Sequence, residues 1–150
     1  MVVVHSYAPK EKQLFSFIAL LFMVMMTCIT SGVHFTILAI GYLKMPELLS
    51  FQWPSVVYAL DILAWDWFFG LAMLFAANVF TDGRLEQSIR VLMITSGVLS
   101  LAGLIGVPFD NMQIRNVGII GYTLVASIVF LLLGNLFKTR NKQIRKRIDQ

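Results

Sequence analysis

Residues 56–80 read VVYALDILAWDWFFGLAMLFAANVF, a long apolar run in which Asp61 and Asp66 are the only charged residues. Crossing about 30 Å of hydrocarbon takes roughly 20 mostly apolar residues, and this stretch is long enough. Three further runs qualify: Leu14–Tyr42, Ile89–Val107 and Val117–Phe137. The first is too long for one upright span, so it tilts or its last turns protrude. The whole chain agrees with this. Its 150 residues are 58% apolar and 13% charged, against about 25% charged in a soluble domain. That excludes a water-soluble enzyme. With Gly 10, Pro 4 and Cys 1, a collagen-like fibre, a disordered chain and a disulfide scaffold are also excluded.

Orientation follows from the 12 Lys and Arg. Lys10 and Lys12 precede the first run, and Arg84 and Arg90 lie at the second connection. Lys138, Arg140, Lys142, Arg145, Lys146 and Arg147 follow the last run. Only Lys44 and Arg115 fall on the other side. Basic residues gather on the cytoplasmic side of a membrane protein. The expected fold is therefore an all-α integral membrane protein: one domain over residues 1–150, an antiparallel four-helix bundle with both termini cytoplasmic. Tyr42, Phe51, Trp53 and Tyr58 mark the outer interface. Pro46 and Pro54 bracket the first outer connection, Thr81-Asp82-Gly83-Arg84 reads as a tight turn with Gly83 as a helix C-cap, and Pro108 with Asp110-Asn111 makes a second outer turn. The first run is about twice the length of a signal-peptide apolar region and lacks a small-x-small cleavage pattern, so it reads as a retained span. Met25-Met26-Thr27-Cys28 is a poor lipidation signal.

Ionisable groups at membrane depth are functional candidates by default. The runs contain His34, Asp61 and Asp66. At 1.5 Å rise per residue, His34 lies about 12 Å from the outer end of its helix, and Asp61 and Asp66 about 7 Å and 15 Å. His34 thus sits at a level between the two carboxylates. Thr27, Ser31, His34, Leu38 and Gly41 share one helical face, read as an inward polar stripe. Asp61 and Asp66 diverge by about 140° on a regular helix, which makes Asp66 the expected partner of His34. Asp61 is left to Arg115, Asn116 or outer water, with the Trp65 indole one turn away as a possible donor. His34, Asp61, Asp66 and Trp65 form the candidate polar cluster.

Three functions fit such a cluster. The leading one is non-enzymatic: a structural or accessory subunit that packs with itself or a larger membrane complex, with His34–Asp66 as a clasp. The others are an oligomeric proton, ion or small-molecule transporter, and a membrane enzyme acting on a lipid or isoprenoid with an Asp acid and a His34 base. One intramembrane His and two Asp match no metal motif, and a lone His is weak ground for haem, so no metal or cofactor is expected. Cys28 and the Met residues read as apolar filler. His5 falls in a floppy amino terminus. Ser96, Ser100 and Gly103 on the third run and Gly118 and Gly121 on the fourth are helix-packing positions, where small residues let backbones approach. The basic tail anchors topology and meets anionic lipid headgroups; with no folded reader attached, it does not indicate nucleic acid.

The segment Trp53-Pro54-Ser55 with Tyr58-Ala59-Leu60-Asp61-Ile62-Leu63-Ala64-Trp65-Asp66 resembles a family of small four-span bacterial inner-membrane proteins. A Thr-x-x-Val-His-Phe-like stretch near Ile29–Phe35 adds to the likeness, as do Ser96–Leu104 and Gly118–Tyr122. The resemblance implies a bacterial inner-membrane location and four spans. It carries over no catalytic residue.

Overall fold

The computed structural model describes residues 1–41 and 44–148, with side chains as far as Lys142. Tyr42 and the side chains of Arg145, Lys146 and Arg147 lie outside the described residues. The described chain is all-helical. Four helices are long and apolar enough to cross a membrane, the signature of a multi-pass membrane protein: Lys10–Ile40, Val56–Ala77, Gly83–Gly106 and Met112–Lys142. They are called the first to fourth spans below.

Local chemistry sets the boundaries. Gly41, at φ +80, ends the first span by donating its N–H to the Ile37 carbonyl at 2.9 Å, a backbone geometry that favours glycine. Ser55 caps the second span, its hydroxyl accepting the Tyr58 N–H at 3.2 Å. The Asn111 side chain does the same for Gln113 N–H at 3.0 Å and starts the fourth span. The turn between second and third spans differs from expectation. The second span ends at Ala77, and Gly83, at φ +81, opens the third span after Asp82 instead of capping the second. Glu86 supplies the reason. Its Oε2 accepts the backbone N–H groups of Thr81 and Asp82 at 3.2 and 3.1 Å, pinning the turn from the following helix.

Second, third and fourth spans pack tightly because their contact faces lack bulk. Gly70 and Gly97 meet so closely that a Cβ on Gly97 would lie 2.7 Å from the Gly70 carbonyl oxygen. Ser96 donates to the Gly121 carbonyl at 2.8 Å, and Gly103 faces Gly118. The five predicted packing residues therefore all lie where the third span meets the fourth. Without a hydrophobic drive in lipid, such close approach is what holds membrane helices together. Phe80, Met73, Ile89, Met93 and Val129 fill the core below them.

The first span is the outlier. Only 17% of its apolar window is buried, against 44% for the second span, so it leans on one side of the bundle. Ser16, Ala19, Met26 and Val33 form its buried side. The predicted inward stripe faces the other way: Thr27, Ser31, His34 and Leu38 are exposed, and so is Cys28. Two of these polar groups are satisfied within their own helix. Thr27 donates to the Met23 carbonyl and the His34 Nδ1–H to the Thr30 carbonyl, both at 2.8 Å, so neither needed a place inside.

The amino terminus is not floppy. Val2–Tyr7 is a short helix docked on the bundle through Val4 and Ala8, and His5 Nδ1 bonds the Ser16 hydroxyl at 2.8 Å.

Candidate functional site

Arg115 organises the buried polar chemistry. On the sequence it counts as a cation of the outer loop; in the structure it lies one turn inside the fourth span and is 4% exposed. Each of its three guanidinium nitrogens donates to a neighbour. Nε donates to Asp66 Oδ2 at 3.1 Å, Nη2 to Asp61 Oδ2 at 3.3 Å and Nη1 to the Tyr58 hydroxyl at 3.1 Å. The same cation sits 4.9 Å from the centre of the Tyr58 ring. Second and fourth spans are thus tied by one guanidinium shared between two carboxyl groups. Asp66 is wholly buried.

Backbone irregularity brings the two carboxylates together. Residues Leu63–Phe68 form a π-helical segment. Its i→i+5 bonding adds a residue to the turn, which draws positions five apart toward one face. The regular-helix divergence of Asp61 and Asp66 is removed in this way, and both reach Arg115. A second π segment, Gly121–Val125, faces the first from the fourth span. Trp65 and Tyr122 bridge the two with ring centres 5.2 Å apart. The Trp65 ring also lies 5.8 Å from Phe69, so Trp65 acts here as an aromatic spacer.

Glycines complete the pocket. A Cβ on Gly118 would overlap Asp66 Oδ1, and one on Gly103 would lie 3.0 Å from it. Asp66 Oδ1 has no hydrogen-bond partner, nor does the buried Ser100 Oγ.

The expected His34–Asp66 clasp is replaced by Arg115–Asp66. His34 faces outward and holds its own helix's carbonyl, and a guanidinium with five donors satisfies a buried carboxylate better than a single imidazole N–H. Shared depth did not become contact because the His34 face points away. A sequence signal for Arg115 did exist. Asn111 after Pro108 is a helix-start pattern, which places Arg115 in the first turns of the span instead of the loop. Tyr58, one turn before Asp61, belongs to the cluster by the same spacing.

A second polar cluster, not foreseen from the sequence, closes the opposite end. The Tyr7 hydroxyl donates to Glu86 Oε1, and the Tyr7 ring packs 5.9 Å from Phe80 and 5.5 Å from Phe137. Arg140, one of the predicted lipid-headgroup contacts, lies 5.5 Å from the Tyr7 ring centre. Burial, then the hydrogen bond and charge of Glu86, push the Tyr7 phenol up from 10.0 to about 12. The neutral phenol's contribution to stability is therefore fully present below its unfolded value and lost as pH rises toward 12. The tyrosinate absorbance difference between wild type and Tyr7→Phe should develop near pH 12. A difference developing at the ordinary tyrosine value would mean that the docked terminus is open in solution.

An apolar cavity of about 440 Å³ lies between first and second spans under the short helix Pro46–Leu49. Its walls, including Val33, Leu49 and Val57, carry no ionisable group. Among the described residues, no three His, Cys, Asp or Glu side chains are placed to hold a metal ion.

No protein-family model, curated protein or solved structure matches the chain.

Proposed function

We propose that this protein is a non-enzymatic building block of the membrane, an antiparallel four-span bundle that associates through the outward face of its first span with a second copy or a larger complex. The observation that carries this reading is the direction of that face. Thr27, Cys28, Ser31, Gly32 and His34 are all exposed at membrane depth, where lipid tails offer no hydrogen-bond partner. The His34 Nδ1–H is used on Thr30, and no bond of the described residues uses Nε2. Small and polar residues on a lipid-facing helix are the surface on which another helix packs closely.

His34 makes no direct hydrogen bond to Asp61 or Asp66 among the described residues, its Nδ1–H being held by Thr30, which supports a structural over a His–Asp catalytic or relay reading. With Arg115 held inside the bundle, Lys44 is the one cation near the Pro46 end among the described residues. Lys10, Lys12, Arg84, Arg90, Lys138, Arg140 and Lys142 lie toward the other, which supports placing both termini in the cytoplasm. A bacterial inner membrane is the location consistent with the 53–66 resemblance.

Cys28 is the single cysteine and stands on the proposed face, so it reports the contact directly. Mild oxidation of native membranes should cross-link the chain through Cys28 to itself or to a defined companion. His34→Leu should reduce that product several-fold while leaving the monomer folded. If the chain extracts as a monomer, forms no Cys28 adduct and is unaffected by His34→Leu, the association reading fails.

A further inference from the structure

The buried cluster does not balance. Arg115 contributes one positive charge, and Asp61 and Asp66 contribute two negative ones if both are ionised. Asp66 is completely buried and the Asp61 side chain is 15% exposed, so the surplus charge would sit inside the bundle, where an uncompensated ion is strongly unfavourable. Among the described residues no second Lys or Arg side chain pairs with either carboxylate, and the His34 imidazole lies within charge range of Asp61. The second span itself brings Tyr58 and Trp65, and the fourth span brings Arg115 and Tyr122. Ser100 is the polar side chain near it on the third span. The nearest ionisable group of the first span is His34, which is exposed and bonded to Thr30.

Stereochemistry identifies the odd atom. Asp66 Oδ2 accepts from Arg115, whereas Oδ1 has no donor. Backbone of the third and fourth spans closes in around Oδ1 at two glycines. A Cβ on Gly103 would lie 3.0 Å from Oδ1 and 3.1 Å from the Arg115 carbonyl oxygen. At Gly118 the same construction overlaps Oδ1 and falls 3.3 Å from the carbonyl oxygen of Ser100. A bare carboxylate oxygen sealed from water without a donor is strongly unfavourable, whereas a protonated one carries no charge to be solvated.

We infer that the Asp61–Asp66–Arg115 cluster is a binding site for a single proton, shared by the two carboxylates and held chiefly on Asp66 Oδ1. Uptake forms one O–H bond from a carboxylate and a solvent proton and breaks none in the protein. The ligand is a proton and not a metal cation, because the glycine backbones of positions 103 and 118 fill the space in which a coordination shell would stand. Asp61, 15% exposed and nearer the end of its span than Asp66, is the open side of the pair. Loss of the proton leaves the surplus charge between second, third and fourth spans, so occupancy holds these helices together and deprotonation loosens them.

This inference rests on the ion cluster and not on association through the first span, so either can fail alone. The test is infrared difference spectroscopy of the full chain in phosphatidylcholine nanodiscs across a pH series. Expected is a protonated-carboxyl C=O band at neutral pH, moving to lower frequency in D2O and disappearing as pH is raised. It should be absent from Asp66→Asn, whose neutral amide takes the place of the protonated carboxyl in the niche and preserves the fold. Asp61→Asn gives a second route: one carboxylate then faces one guanidinium, the pair ionises and the band is again lost. No acid band in wild type at neutral pH, or a band that survives either substitution, overturns the proposal. Replacing choline chloride by sodium chloride should leave the band unchanged; loss of the band in sodium would assign the site to a metal cation and overturn it equally.

Discussion

Arg115→Leu is expected to destabilise the protein by about 3–5 kcal/mol, the cost of stripping the partner from buried charges. For a chain of this size that corresponds to a fall in melting temperature on the order of 10 °C. The expectation follows from how completely the guanidinium is used: Nε on Asp66, Nη2 on Asp61 and Nη1 on Tyr58, with the side chain almost sealed from solvent. Leucine fills part of the volume but leaves two carboxyl groups facing each other without a counter-charge. They can escape only by taking up protons or by prying the fourth span from the second. A companion variant separates charge from packing. When Arg115→Leu, Asp61→Leu and Asp66→Leu are combined, no charge remains to be buried, and most of the lost stability should return. Thermal unfolding in mild detergent, followed by circular dichroism, reads both. If Arg115→Leu melts with the parent protein, the cluster does not clamp these spans.

Gly97→Ala should cost about 1–3 kcal/mol, as overpacking of a close contact does. The added carbon would stand 2.7 Å from the Gly70 carbonyl oxygen and 2.7 Å from Leu74 Cγ. Leu74 can rotate away, but the backbone carbonyl cannot move without separating second and third spans. Gly134→Ala is the internal control, since a Cβ there meets nothing within 4 Å. It lies within a helix, where alanine is favoured over glycine by about 0.5–1 kcal/mol, so it should be neutral or mildly stabilising. Equal losses for both would show that glycine at position 97 is not a contact residue.

Some features of the site were legible along the chain and some were not. Asp61 and Asp66 stand out because lipid makes any carboxylate costly, and both lie in the cluster. Ser96, Ser100, Gly103, Gly118 and Gly121 stand out for their size, and all five sit at the contact of third and fourth spans. Arg115 was hidden by an assumption about edges: it precedes the apolar run, yet the helix starts earlier, at Met112. His34 misled because helical periodicity gives a face but not its direction. A polar residue that bonds its own helix's carbonyl can turn toward lipid. The Tyr7–Glu86 contact spans residues too far apart in sequence for any local pattern to reveal.

The sequence by itself determined that the chain is helical, that four segments are long and apolar enough to cross a membrane, and where the costly charges lie. Those properties follow from hydrophobic length and from the price of a charge in hydrocarbon, both additive along a chain. Tertiary structure decided which charges meet. The π segment at Leu63–Phe68 rotates Asp66 toward Asp61, the glycine contacts bring the fourth span close enough for Arg115 to reach both, and the packing of Ala19, Met26 and Val33 turns His34 outward. Pairing depends on the relative rotation of helices, and rotation is set by side-chain fit between segments distant in sequence.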